Sequence, residues 1–189
     1  MTENRLQRSS DPAGFPSAQE PALHDLVAAL DAACDAAGGP HGDRVVVAIE
    51  RACRHPRLLS DAQRHGHPDH YTRHVLHADP AGRYTLVALV WEPGQHSPVH
   101  GHHAWCGYGV VEGCLRDESF AYLHDVAQAR PIGAVDHAPG AACFAPAGLD
   151  GIHRLGNAGA RRAVSIHAYG VEGGRVSSHV NRIVPVVGG

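Results

Sequence analysis

Early in the chain, apolar residues recur every three or four positions; beyond residue 70 they gather into short runs between turn residues. Leu23, Leu26, Val27, Leu30 and Cys34 form one stripe at helical spacing, and Gly38-Gly39-Pro40 would end that helix. A second helix is predicted over Asp43 to Cys53, and a short helical piece around Leu58 to Arg64. From Tyr71 onward, residues 71–77, 84–91, 106–111, 115–123, 142–145, 153–155 and 163–169 read as strands. Helices followed by a run of strands predict a mainly β domain, with N-terminal helices (21–66) packed on a sandwich or small barrel (about 70–185). Residues 1 to about 20 are polar, carry Pro12, Gly14 and Pro16, and are expected to form a loose arm outside this single domain of 21–189.

Composition narrows the function. The formal net charge is -3, and the 16 basic residues are all arginine and scattered, so no basic stripe is available for nucleic acid. The absence of lysine excludes Schiff-base chemistry, pyridoxal phosphate attachment and a phosphate-loop lysine, each of which needs an ε-amine. No apolar run approaches the roughly 20 residues that cross a bilayer, and the N-terminus lacks a secretory apolar segment. A cytoplasmic protein with no membrane partner is therefore expected. The five cysteines form no Cys-x-x-Cys pair, which predicts reduced thiols. With 17 histidines, only position within a pattern can mark a ligand.

Such a pattern runs from Gly94 to Gly113. His100 and His102, two residues apart in a glycine-punctuated β segment, place both imidazoles on one strand face, while His103 points the other way. His153 follows Cys143-Phe144-Ala145-Pro146-Ala147-Gly148 in a similar setting. Three neutral nitrogen ligands leave a metal with open coordination positions, the kind of site that does chemistry.

Gly94, His100, His102, Cys106 and Gly113 fit the first cupin motif with every spacing kept, Cys106 standing in its glutamate slot. Gly140, Pro146, Gly148, His153 and Asn157 resemble the second motif, with four residues rather than two between Gly148 and His153. Within cupins, the cysteine in the glutamate slot resembles the cysteine dioxygenase family, bacterial branch. Tyr71-Thr72-Arg73 is similar to its carboxylate clamp, Ser165-Ile166-His167-Ala168-Tyr169 to its Ser-x-His-x-Tyr segment, and Tyr84 to Trp91 to the strand before its metal motif. The resemblance spans about Tyr71 to Tyr169.

It implies a cupin double-stranded β-helix, with Fe(II) held by His100, His102 and His153. It further implies that Arg73 binds the substrate carboxylate with help from Tyr71, that Tyr169 places its hydroxyl near the reacting sulfur and oxygen, and that His167, beside Ser165, orients Tyr169. Cys106 and Tyr169 are candidates for a thioether bond known in some members. Three neutral imidazoles leave the dication for a thiolate to neutralise, which points to O2-dependent oxidation of L-cysteine to cysteine sulfinate. A 3-mercaptopropionate or other small-thiol dioxygenase is the alternative within the chemistry; a non-catalytic ligand-binding or thiol-sensing cupin is the alternative outside it. Oligomeric state stays open, a monomer being compatible with the sequence. Trp91 and Trp105 are expected to be packing residues, and Cys34, Cys53, Cys114 and Cys143 structural.

Overall fold

The computed structural model describes residues 20–36 and 40–188. Residues 1–19 of the expected arm, and Gly38 and Gly39 of the expected helix stop, lie outside the described residues. Helix α1 spans Glu20–Cys34 and α2 spans Gly42–Cys53. The buried seam of α1 is Ala22, Leu26, Leu30 and Ala33, with Leu23 and Cys34 packing from its flank and Val27 half-buried. It is rotated slightly from the expected stripe, Ala22 and Ala33 joining Leu26 and Leu30 in the core that they share with Ala48 and Ala52 of α2. The expected helical piece around Leu58 to Arg64 shrinks to one 3-10 turn, Ala62–Arg64, while Leu58 and Leu59 are buried beneath the helices.

Ten strands follow: β1 Thr72–Ala78, β2 Thr85–Trp91, β3 His100–His102, β4 Cys106–Glu112, β5 Leu115–Leu123, β6 Gln128–His137, β7 Ala142–Ala145, β8 Gly148–Gly156, β9 Ala163–Tyr169 and β10 Asn181–Ile183. They form two antiparallel five-stranded sheets, ordered β1-β2-β9-β4-β7 and β10-β3-β8-β5-β6. This is the expected mainly β architecture, with the helices on the first sheet. No helix among the described residues is long and apolar enough to cross a membrane.

Every residue of β2 and β9 is buried because both faces of these strands are covered. Leu86, Ala88, Val90, Val164, Ile166 and Ala168 point outward beneath α1 and α2. Val87, Leu89, Trp91 and Tyr169 alternate inward. Helix α2 sits directly on β4, where Gly107 and Gly109 leave room for it: an added Cβ would lie 2.5 Å from Val45 Cγ1 at the first and 2.5 Å from Ile49 Cγ2 at the second. Arg83, between β1 and β2, binds Asp31 of α1 and Asp35 just past its end together with Asp79, and so ties the helical layer to the sheet.

Two strands carry no clear sequence signal. Strand β6, with Pro131 and Gly133, lacks alternation because it is a mostly exposed edge, where proline costs no interior hydrogen bond. Strand β10 is three residues long and paired only with β3. Strand β8, expected over 153–155, starts at Gly148; opposite β3, His153 pairs with His100 and Gly148 with His102, so an irregularity absorbs the extra residues before His153.

Candidate active site

The second sheet brings the three histidines together. His100 and His102 lie on β3 and His153 on β8, directly across from His100. All three are buried, and their potential ligand atoms lie within 4.8 Å of one another. His100 Nδ1 is 2.9 Å from the Pro98 carbonyl and donates to it as the N–H tautomer, which leaves Nε2 free. His153 Nδ1 is 3.2 Å from Asp117 Oδ1, again leaving Nε2 free. Neither ring nitrogen of His102 has a hydrogen-bond partner, although both are buried. Buried imidazole nitrogens left unpaired beside two other free ones fit a metal ion better than any hydrogen-bonding role. His103 is exposed, as expected of the opposite face.

Inward residues of the first sheet form the facing wall. Ser165, His167 and Tyr169 alternate along β9, and Cys106 of β4 is the register partner of Tyr169. Ser165 Oγ is 2.8 Å from His167 Nε2, and Tyr169 OH is 3.2 Å from His167 Nδ1. Trp91 joins this row: its indole N–H donates to Ser165 Oγ at 2.9 Å, and its ring stacks on Tyr71 at 4.5 Å. It was expected only to pack.

Arg73, on β1, is 5 % exposed. Its Nη2 donates to Tyr71 OH at 3.3 Å, its Nε is buried without a partner, and no acidic side chain among the described residues pairs with it. A buried guanidinium with spare donors is poised for an anion that comes from outside the chain. Arg73, Tyr71, Trp91, His100, His153, Cys106, His167, Tyr169 and Asn181 line one narrow cavity of about 10 Å³. Tyr71, Arg73 and Asn181 also line an outer cleft of about 680 Å³.

Burial sets the electrostatics. It lowers His100 to about 3 and His102 to about 4, helped in each by the neighbouring His153. Both therefore stay neutral at physiological pH and able to ligate. Burial likewise holds His167 well below the usual imidazole range, and pushes the Cys106 thiol and Tyr169 phenol up, so both keep their protons. For Asp117 burial works upward but is outweighed by hydrogen bonds from His153 and Tyr108, leaving the carboxyl below its ordinary value.

Asp117 is the member of this cluster that no sequence motif marks. From β5 it binds His153 on one oxygen and accepts the Tyr108 hydroxyl on the other at 2.6 Å, and Tyr108 stacks on His167 at 5.4 Å. An anionic partner behind a ligating imidazole fixes its orientation and raises its basicity. The only available signal was alternation in β5, which puts Asp117 inward across from Leu155. Asn157 of the second motif has a structural task instead: its side chain binds the Trp91 and Arg161 carbonyls and the Gly159 N–H, bracing the turn into β9.

The model of the family described as cysteine dioxygenase type I matches residues 63–172. Solved structures with similar folds include an uncharacterized conserved protein with a double-stranded β-helix domain from Klebsiella pneumoniae, 16% identical, covering 62% of this chain and 91% of that one at a TM-score of 0.48. The protein TT1209 from Thermus thermophilus is 22% identical, covering 60% of this chain and 96% of that one at a TM-score of 0.44.

Proposed function

The chain belongs to the cysteine dioxygenase type I family, and from that premise we propose that it is an Fe(II)-dependent enzyme converting L-cysteine and O2 to cysteine sulfinate. The family gives the reaction type, oxidation of a thiol by O2; cysteine and iron are the finer assignments. The observation that carries the substrate is the buried Arg73, paired with no acidic side chain of the described residues, opening on the same cavity as two of the three clustered histidines; the all-imidazole donor set supports the metal. Five unpaired cysteines support a reducing compartment, the cytoplasm.

In this reading His100, His102 and His153 hold the metal, which supplies the one-electron chemistry that lets O2 react with a thiolate. Arg73, steadied by Tyr71, binds the substrate carboxylate through its planar fork and so fixes the thiol end toward the histidines. Tyr169, protonated because buried and held by His167 and Ser165, presents its hydroxyl at the reacting atoms. Cys106 borders Tyr169 and is the candidate for a thioether to it.

The test is O2 uptake by anaerobically iron-loaded protein with L-cysteine, 3-mercaptopropionate and cysteamine in parallel, the sulfinate identified by mass. Preferred turnover of L-cysteine is expected, and Arg73→Ala should raise KM for carboxylate thiols by about tenfold or more, the scale of one lost charge-assisted bond. Preference for 3-mercaptopropionate would retain the chemistry and overturn the substrate. Uptake with none of them despite bound iron would leave a ligand-binding or thiol-sensing cupin.

A further inference from the structure

The reading above gives no task to Asn181, which lies on β10, beyond the residues the family matches. Its backbone pairs with His102 on β3, and its side chain lines the cavity that holds Arg73, His100 and Tyr169. Its Oδ1 is buried and accepts no hydrogen bond, so no N–H of the described residues reaches it. Leaving a buried acceptor unpaired costs about 1 to 3 kcal/mol, a cost relieved when a ligand brings a donor.

Arg73 offers the opposite orphan. Its Nε is a buried cationic donor without an acceptor, and both residues line the inner cavity and the outer cleft alike. Where the inner cavity meets the outer cleft of about 680 Å³, one unpaired donor and one unpaired acceptor are complementary to a molecule carrying an acceptor and a donor close together. An α-amino acid does so, with carboxylate and amine on one carbon. We propose that Asn181 is a specificity-determining residue whose Oδ1 accepts a hydrogen bond from the substrate's α-amine, while Arg73 takes the carboxylate. This deepens the thiol dioxygenase reading and rests on it. A thiol-bearing α-amino acid satisfies both orphans; 3-mercaptopropionate, with a methylene in place of the amine-bearing carbon, leaves Oδ1 unpaired, and cysteamine leaves Arg73 unpaired. A site built to bond a polar group discriminates strongly against the analogue that lacks it.

The experiment measures the ratio of kcat/KM for L-cysteine to that for 3-mercaptopropionate in iron-loaded wild type, Asn181→Leu and Asn181→Asp. Asn181→Leu keeps the side-chain size and removes the acceptor, and the ratio should fall on the order of tenfold; a fall of less than threefold overturns the assignment. Asn181→Asp keeps the acceptor and has no side-chain N–H, so its ratio should equal or exceed that of wild type. A lower ratio would mean that the amide had been donating, and overturns the assignment even if Asn181→Leu fails to fold. The same ratio, taken from dissociation constants of the two thiols measured by calorimetry on anaerobic iron-loaded protein, needs no turnover. If wild type binds both thiols and oxidises neither, the dioxygenase reading falls while the binding ratio still decides the role of Asn181.

Discussion

The two sheets differ in what covers them and in what they carry. The first has its central strands β2 and β9 buried on both faces, by helices outside and by the barrel interior within, and holds Arg73 and the hydrogen-bonded row Trp91, Ser165, His167 and Tyr169. The second carries the three histidines on β3 and β8, beside the mostly exposed edge strand β6. The row in the first sheet is thus held by packing and by its own hydrogen bonds, whereas in the second sheet His100 donates to the Pro98 carbonyl, His153 to Asp117, and His102 has no hydrogen-bond partner. Changes in the two sheets should therefore show up in different measurements.

The sharpest break is His153→Ala. We expect metal content after purification to fall to background, while the metal-free protein loses only about 1 to 3 kcal/mol in denaturant unfolding, the cost of leaving Asp117 without this partner; full metal retention would show that another residue is the third ligand. In the helical layer over the other sheet, Ile49→Ala should do the reverse. Ile49 is fully buried between α2 and β4, so its truncation should cost about 2 to 5 kcal/mol in denaturant unfolding and leave metal stoichiometry at the wild-type value. A loss of metal in that variant would mean that the helical layer also sets ligand geometry.

Asp117→Asn keeps the shape and removes the charge behind His153. Metal affinity by competition with a chelator should weaken about 10- to 100-fold, and unchanged affinity would reduce Asp117 to a packing partner of Tyr108. The smallest effect is that of pH on the metal-free protein. His100 and His102 titrate near 3 and 4 when folded, below the ordinary value of 6.5, so the unfolded chain binds more protons between those limits. Their contribution to stability is complete above 6.5 and is lost as pH falls toward 4; between pH 7 and 6 the two together should account for about 1 kcal/mol. A flatter profile in His102→Gln would assign the effect, and a midpoint that rises on acidification would contradict it.

How legible each part was follows from how local its signal is. His100, His102 and His153 sit in segments punctuated by glycines whose spacing survives in the chain, and β5, β7 and β9 alternate or run apolar cleanly enough to have been bounded at Leu115–Leu123, Ala142–Ala145 and Ala163–Tyr169. The stripe of α1 is legible at Leu26 and Leu30, which are buried, and at Leu23 and Cys34, which pack against them, whereas Ala22 and Ala33 share the core unmarked because alanines weigh little in a periodic pattern. Asp117 and Asn181 left no trace of function, since each matters through a partner far off in sequence: Asp117 stands 36 residues before His153, and Asn181 meets the site only because β10 returns to β3. Strand β6 escaped because an exposed edge imposes no alternation.

The row that begins at Trp91 has a direction. An indole nitrogen can only donate, so Ser165 must receive there, and its own hydrogen has no partner among the described residues other than His167 Nε2. That nitrogen then accepts, which leaves the imidazole hydrogen on Nδ1, aimed at the oxygen of Tyr169. With its oxygen engaged from behind, the phenol turns its hydrogen to the cavity. A tryptophan at the far end of the row thus decides which way every hydrogen in it points, and makes Tyr169 a donor to whatever the cavity receives.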